Sequence, residues 1–207
     1  MDYSDGVSSR DSRVSVFGLA AATAISAGLA GCIALLYLGM AAIMETEGGF
    51  VATGGPYEIA HPAPDWVWLL PLSIMTMFVF GGLSVWASVR GWGIGLIVFA
   101  WMGLFLALGW NFLRLGLIDP PENLQGAWGW ILSGVVFWVM GLAPALGLIR
   151  AVRDGWRAVR ERQALRGPGM FGLPDGGGTT PVYLVAQLLG VAGGIAGAAA
   201  LFAALTG

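Results

Sequence analysis

Side chains able to do chemistry are scarce in this chain, and most of them fall in one segment. Glu45–Asp65 reads ETEGGFVATGGPYEIAHPAPD and holds four carboxylates, one tyrosine and the only histidine. Glu58, His61 and Asp65 are the residues whose types could ligate a divalent cation, carboxylate oxygen being a hard donor and imidazole a borderline one. A stable site needs three or four convergent ligands, and this spacing matches no established metal pattern. The expectation is therefore no metal, with the segment folding as a cap whose carboxylates face water. Two Gly-Gly pairs and three prolines argue against regular helix there.

Other chemistries have even less to work with. One cysteine excludes a disulfide framework and a CxxC zinc site. Cys32 lies in an apolar run and His61 in the polar segment, so a Cys/His nucleophilic pair is not expected. Gly54-Gly55-Pro56 lacks the lysine and following helix of a phosphate loop. No GxSxG or HExxH occurs. The sequence thus predicts no catalytic residue, no metal and no cofactor. Leu29-Ala30-Gly31-Cys32 resembles the lipobox of bacterial lipoproteins, which would make Cys32 an acylated N-terminus after cleavage. The apolar run continues through Ile33–Met44, however, so the segment reads as one uncut span.

The elements that must carry these residues are apolar. Of 207 residues, 57% are hydrophobic and 11% charged, against about 25% charged in a soluble domain. Disorder and strongly basic nucleic-acid binding are both excluded. Five uncharged stretches stand out: Val14–Met44, Trp66–Val89, Trp92–Leu113, Trp128–Ile149 and Val182–Leu205. Each reaches the ~20 residues that cross a bilayer, and the first, at 31 residues, is longer than needed and must tilt or project from the membrane. None alternates as a barrel strand would. The fold class is therefore all-α, a polytopic transmembrane helical bundle with five predicted spans. Asp65 is expected to N-cap the second helix, and Thr180-Pro181 to open the fifth. Arg90-Gly91 alone should join the second and third. Pro144 should kink the fourth.

Charge fixes an orientation. With the N-terminus inside and the C-terminus outside, nine arginines lie inside and only Arg114 outside, as the positive-inside rule requires. Inside segments then sum to +3 and outside segments to -5, a polarity hidden by the net charge of -2. Eight of ten tryptophans fall near span ends, where amphipathic rings prefer the headgroup level. Trp101 and Trp138 fall near mid-depth and should pack between the third and fourth helices. All ten basic residues are arginine. That suggests a GC-rich coding sequence, and hence a multi-pass protein of a bacterial plasma membrane.

The chain divides accordingly. Residues 1–13 form an inner tail. Residues 14–149 form a four-helix transmembrane domain carrying the outer loop 45–65. Residues 150–181 are an inner arginine-rich amphipathic segment and Gly/Pro-rich linker. Residues 182–207 are the fifth helix. Arg150, Arg153, Arg157 and Arg160 recur at helical spacing and suit anionic headgroups or an acidic partner. Gly190, Gly194 and Ala198 line one face of the fifth helix, while Gly193 and Gly197 line another. Such small-residue faces let backbones approach closely. Ala24, Gly28 and Cys32, and likewise Ala27 and Gly31, do the same in the first helix.

The expected function is non-enzymatic: an accessory or assembly component acting through helix faces and the outer loop. Its expected partners are membrane lipids and a membrane-protein partner or second copy, with no nucleic acid. Two alternatives belong to other classes. One is a small transporter or channel subunit with a pocket lined by Ser, Thr and Asn111. The other is a membrane enzyme or metal-binding protein using the acidic loop.

Overall fold

Helix dominates because long apolar runs can satisfy their backbone within themselves. The computed structural model describes residues 14–45, 52–53, 58–59, 64–118, 128–144, 149, 153, 157, 160 and 180–207. The helices are α1 (Val16–Glu45), α2 (Leu69–Val89), α3 (Ile97–Leu113), α4 (Trp128–Leu142) and α5 (Pro181–Thr206). A π-helical turn, Arg114–Ile118, prolongs α3. Two two-residue strands, β1 (Ala52–Thr53) and β2 (Glu58–Ile59), pair antiparallel in the segment after α1. Four helical stretches are long and apolar enough to cross a membrane: Val16–Met44, Leu69–Val89, Ile97–Ile118 and Pro181–Thr206. The fifth, α4, has 15 residues and so spans about 22 Å.

Helix α1 is the hub. One side carries α5 along its length, and the other packs against α2 and α3. Leu29, Cys32 and Leu36 of α1, Met77 of α2 and Ala100 of α3 form the main buried cluster, with Leu96 just before α3. A second cluster joins Ala22 to Tyr183 and Ala186 of α5. Helix α4 packs on α3 and the π-turn. The outward faces are apolar: Met75, Phe78 and Val79 on α2, Leu132 and Val139 on α4, and Leu188 and Leu189 on α5 are all exposed.

Helices α1 and α5 run parallel. Ser15 meets Tyr183, and higher up Thr23 meets Gly190 and Ala27 meets Gly194. Helix α2 runs against α1, with Gly28 at Phe80 and Gly39 at Leu70. Helix α4 runs against α3, with Gly116 at Ile131 and Gly109 at Trp138.

Helix ends depart from expectation for local reasons. Asp65 does not cap α2. It is exposed in the turn Asp65–Trp68, and Trp68 takes the cap position without a side-chain bond. The first-turn N–H groups are already used: Leu69 donates to the Trp66 carbonyl, Leu70 to Val67 and Leu72 to Trp68. Pro71 has no N–H to satisfy, and the Val67 N–H that an Asp65 cap would take is donated to the Pro64 carbonyl. Thr180 does precede Pro181 in extended conformation, but its hydroxyl makes no cap bond. Ser15 is a side-chain N-cap that the apolar run concealed: its Oγ accepts from the Gly18 N–H at 3.3 Å.

The link between α2 and α3 is Arg90–Leu96, longer than the two residues expected. Gly91 and Gly93 adopt φ of 76° and 136°, and the chain leaves the helix before Ile97. Pro144 ends α4 rather than bending it: Ala143 and Pro144 form a turn, and Ile149 is helical again.

Candidate functional site

Small residues decide where the backbones meet. At Gly190 and Gly194 an added Cβ would collide with the carbonyl oxygens of Thr23 and Ala27. Gly31 reciprocates, since its Cβ would stand 3.3 Å from the Gly194 oxygen. Ala198 is buried on the same side of α5. Of the predicted set, Gly190 therefore meets Thr23 and Ser26 of α1, Gly194 meets Ala27 and Gly31, and Ala198 is buried farther along α5. Gly28 and Cys32 turn instead to α2, facing Phe80 and Thr76, and Ala24 is exposed. Gly193 and Gly197 have open space beside them.

A second glycine interface was not read from the sequence. Gly109 on α3 and Gly116 on the π-turn face Gly134 and Ile131 on α4, and Gly141 faces Leu106. The signal was present as two pairs of glycines, each seven residues apart, at 109/116 and 134/141. Two turns of helix separate such residues, so both members of a pair share a face.

Polar side chains in the apolar helices act as internal fasteners. Thr23, Ser26, Thr76, Ser84 and Ser88 each donate to a carbonyl of their own helix. Ser84 also accepts from the Leu96 N–H. Gln187, buried in α5, makes two bonds to one residue: its Oε1 accepts from the Ile94 N–H at 3.0 Å, and its Nε2 donates to the Ile94 carbonyl at 2.9 Å. This clamp ties α5 to the α2–α3 link, and the approach leaves no room for a side chain at Gly93.

Trp101 and Trp138 pack between α3 and α4, as expected. The Trp101 indole donates to the Met140 carbonyl at 3.0 Å. The Trp138 indole donates to the Leu106 carbonyl at 3.3 Å. Met140 lies four residues before Pro144, so its carbonyl has no helical donor. Trp101 supplies that donor from the neighbouring helix.

Asn111 is a buried polar residue with unused capacity. It is 2% exposed. Its Nδ2 donates to the Tyr37 carbonyl at 3.2 Å, and its buried Oδ1 has no partner. Ala41, Arg114 and Leu115 line a narrow cleft beside it. The π-turn starts three residues later, at Arg114.

The other predicted residues are less fully placed. Glu58 lies in β2, and His61 lies outside the described residues, as does Arg150. Among the described residues, no three His, Cys, Asp or Glu side chains converge as metal ligands. Arg153, Arg157 and Arg160 are helical and exposed. Cys32 sits in unbroken helix, its Sγ 3.1 Å from the Thr76 hydroxyl. Compared with protein-family models, curated proteins and solved structures, the chain has no significant match to any of them, and its helical architecture stands on its own geometry.

Proposed function

We propose that the chain is a multi-pass protein of a bacterial plasma membrane, with five spans, N-in and C-out, acting as an accessory or assembly component through its helix faces. One observation carries the functional part of this reading. The hydroxyls of Thr23, Ser26, Thr76, Ser84 and Ser88 and the Gln187 amide are all committed to backbone groups. What the spans offer outward is apolar helix surface, suited to lipid and to other helices.

The span count is supported by the parallel packing of α1 and α5. Two helices crossing in the same direction need an odd number of crossings between them. Helices α2, α3 and α4 would supply three, with α4 returning the chain on its 15 residues. Helical residues resume at Ile149, which offers the extra length. The positive-inside rule then sets the direction.

Two measurements test this reading. Reporter fusions at the two termini should report opposite sides of the membrane; the same side for both would remove α4 as a span. Purification from native membranes in mild detergent should bring down a stoichiometric partner. A chain that purifies alone under every mild condition would overturn the accessory role.

A further inference from the structure

Where α1 begins and α2 ends, two tryptophan rings flank one guanidinium and a phenylalanine backs one of them. The cause is the way α2 stops. The Gly91 N–H bonds the Ser88 carbonyl, and the Trp92 N–H bonds the Ala87 carbonyl, each at 3.0 Å. With Gly91 at φ 76°, this is a Schellman ending, whose hydrophobic closure brings the residue after the glycine onto the last helical turn. Trp92 accordingly packs edge-on against Trp86, with centroids 5.4 Å apart. Phe17 of α1 closes on the other side of Trp92, also at 5.4 Å. Arg90 is the residue between these tryptophans. Its guanidinium carbon lies 3.9 Å from the Trp86 ring centroid and 5.4 Å from that of Trp92.

That geometry divides the guanidinium into used and unused parts. Stacking on a ring engages its planar face. Its N–H donors point outward from the edge, in the fork that matches phosphate oxygens. Arg90 is exposed, and it forms no ion pair among the described residues. Around it Val14, Val16, Phe17, Trp86 and Val89 are exposed too, Phe17 at 66% and Trp86 at 41%. A fixed cation at the rim of an apolar surface suits a ligand with a phosphate beside hydrocarbon. A free anion would leave the valines and Phe17 in water. An acidic peptide would gain nothing from their continuity with the outward faces of α1 and α2.

We propose that Arg90, held by Trp86 and Trp92, binds the phosphate of an anionic phospholipid in the leaflet at that end of the bundle. The proposal rests on the membrane-spanning reading above. The proposed site uses no residue of the arginine-rich segment after α4.

The test uses the full chain in nonionic detergent. It is titrated with phosphatidylglycerol, with phosphatidylcholine of the same acyl chains, and with inorganic phosphate. Bound molecules are counted by native mass spectrometry. Phosphatidylglycerol should be retained in preference to phosphatidylcholine. Arg90→Gln should weaken that binding about fivefold, or about 1 kcal/mol at 1.4 kcal/mol per tenfold. Arg90→Lys should fall between, because it keeps the charge without the planar face. Arg10→Gln removes the same charge from the N-terminal tail and should leave binding unchanged. Equal losses in Arg90→Gln and Arg10→Gln would reduce the effect to general charge and overturn the site. So would equal retention of the two lipids, or inorganic phosphate binding as tightly as lipid. Carbonate extraction of the chain from vesicles separates the two readings. An extractable chain fails the membrane reading, whereas an inserted chain without lipid preference fails this proposal alone.

Discussion

At Gly194 a methyl group would meet the Ala27 carbonyl oxygen, whereas at Gly193, one position along the same helix, it would meet nothing. Gly194→Ala should therefore cost about 1–3 kcal/mol, the usual range for overpacking a close contact. Gly193→Ala should leave stability unchanged or raise it slightly, since alanine is the better helix former. Unfolding in detergent read by circular dichroism compares the two, and equal effects would refute the packing assignment. Gln187 makes the complementary case. Replacing it with leucine strands the half-buried N–H and carbonyl of Ile94, at a cost of about 1 kcal/mol. Hydrogen exchange at the Ile94 amide should quicken in Gln187→Leu, and an unchanged rate would mean that another group satisfies it. The small face of α5 was legible in the sequence because four-residue spacing declares a helical stripe. The clamp was not, because its partner is a backbone group 93 residues away, and nothing in residue type announces a backbone partner.

Between elements, the junction of α3 and α4 links two features that looked unrelated in the sequence. Pro144 read as a kink and Trp101 as a mid-depth packing residue. In the fold the first removes a donor from the Met140 carbonyl, and the second restores one at 3.0 Å. Lipid offers no alternative partner, so the two positions should be coupled. Trp101→Phe alone should cost about 1 kcal/mol, a typical interhelical bond in a membrane. In a Pro144→Ala background the helix can supply its own N–H, and the same substitution should cost less. A double-mutant cycle measures the difference directly, and strict additivity would show that the indole bond is incidental. Element existence was readable because apolar length leaves few alternatives. Several ends were readable too, at Val89, Leu113, Trp128 and Thr180-Pro181, but the start of α2 and its link to α3 were not. The α2 start depends on turn bonds that exclude Asp65, and the α2–α3 link depends on Gln187 reaching across from α5.

For the molecule as a whole, α5 is more integral than its place in the sequence implies. The Gly/Pro-rich linker before it suggested a helix set apart and open to partners. Yet it is fastened to the rest at three levels: Tyr183 accepts from the Ser15 N–H at 2.9 Å, Gln187 holds Ile94, and Phe202 packs edge-on against Trp66 at 5.1 Å. Between these levels Gly190 and Gly194 bring its backbone against α1. None of these contacts uses the covalent connection to α4. Transmembrane helices that insert independently can associate afterwards through such faces. Residues 1–166 and 167–207, expressed together as separate chains, should therefore copurify as a one-to-one complex in mild detergent. Gly194→Leu in the shorter piece should abolish the complex, because the added side chain would stand against the Ala27 carbonyl, while Gly193→Leu should spare it. Copurification that survives Gly194→Leu would mean that the polar fasteners alone hold α5. Failure of the unmodified pieces to associate would mean that α5 needs its covalent tether to stay in place.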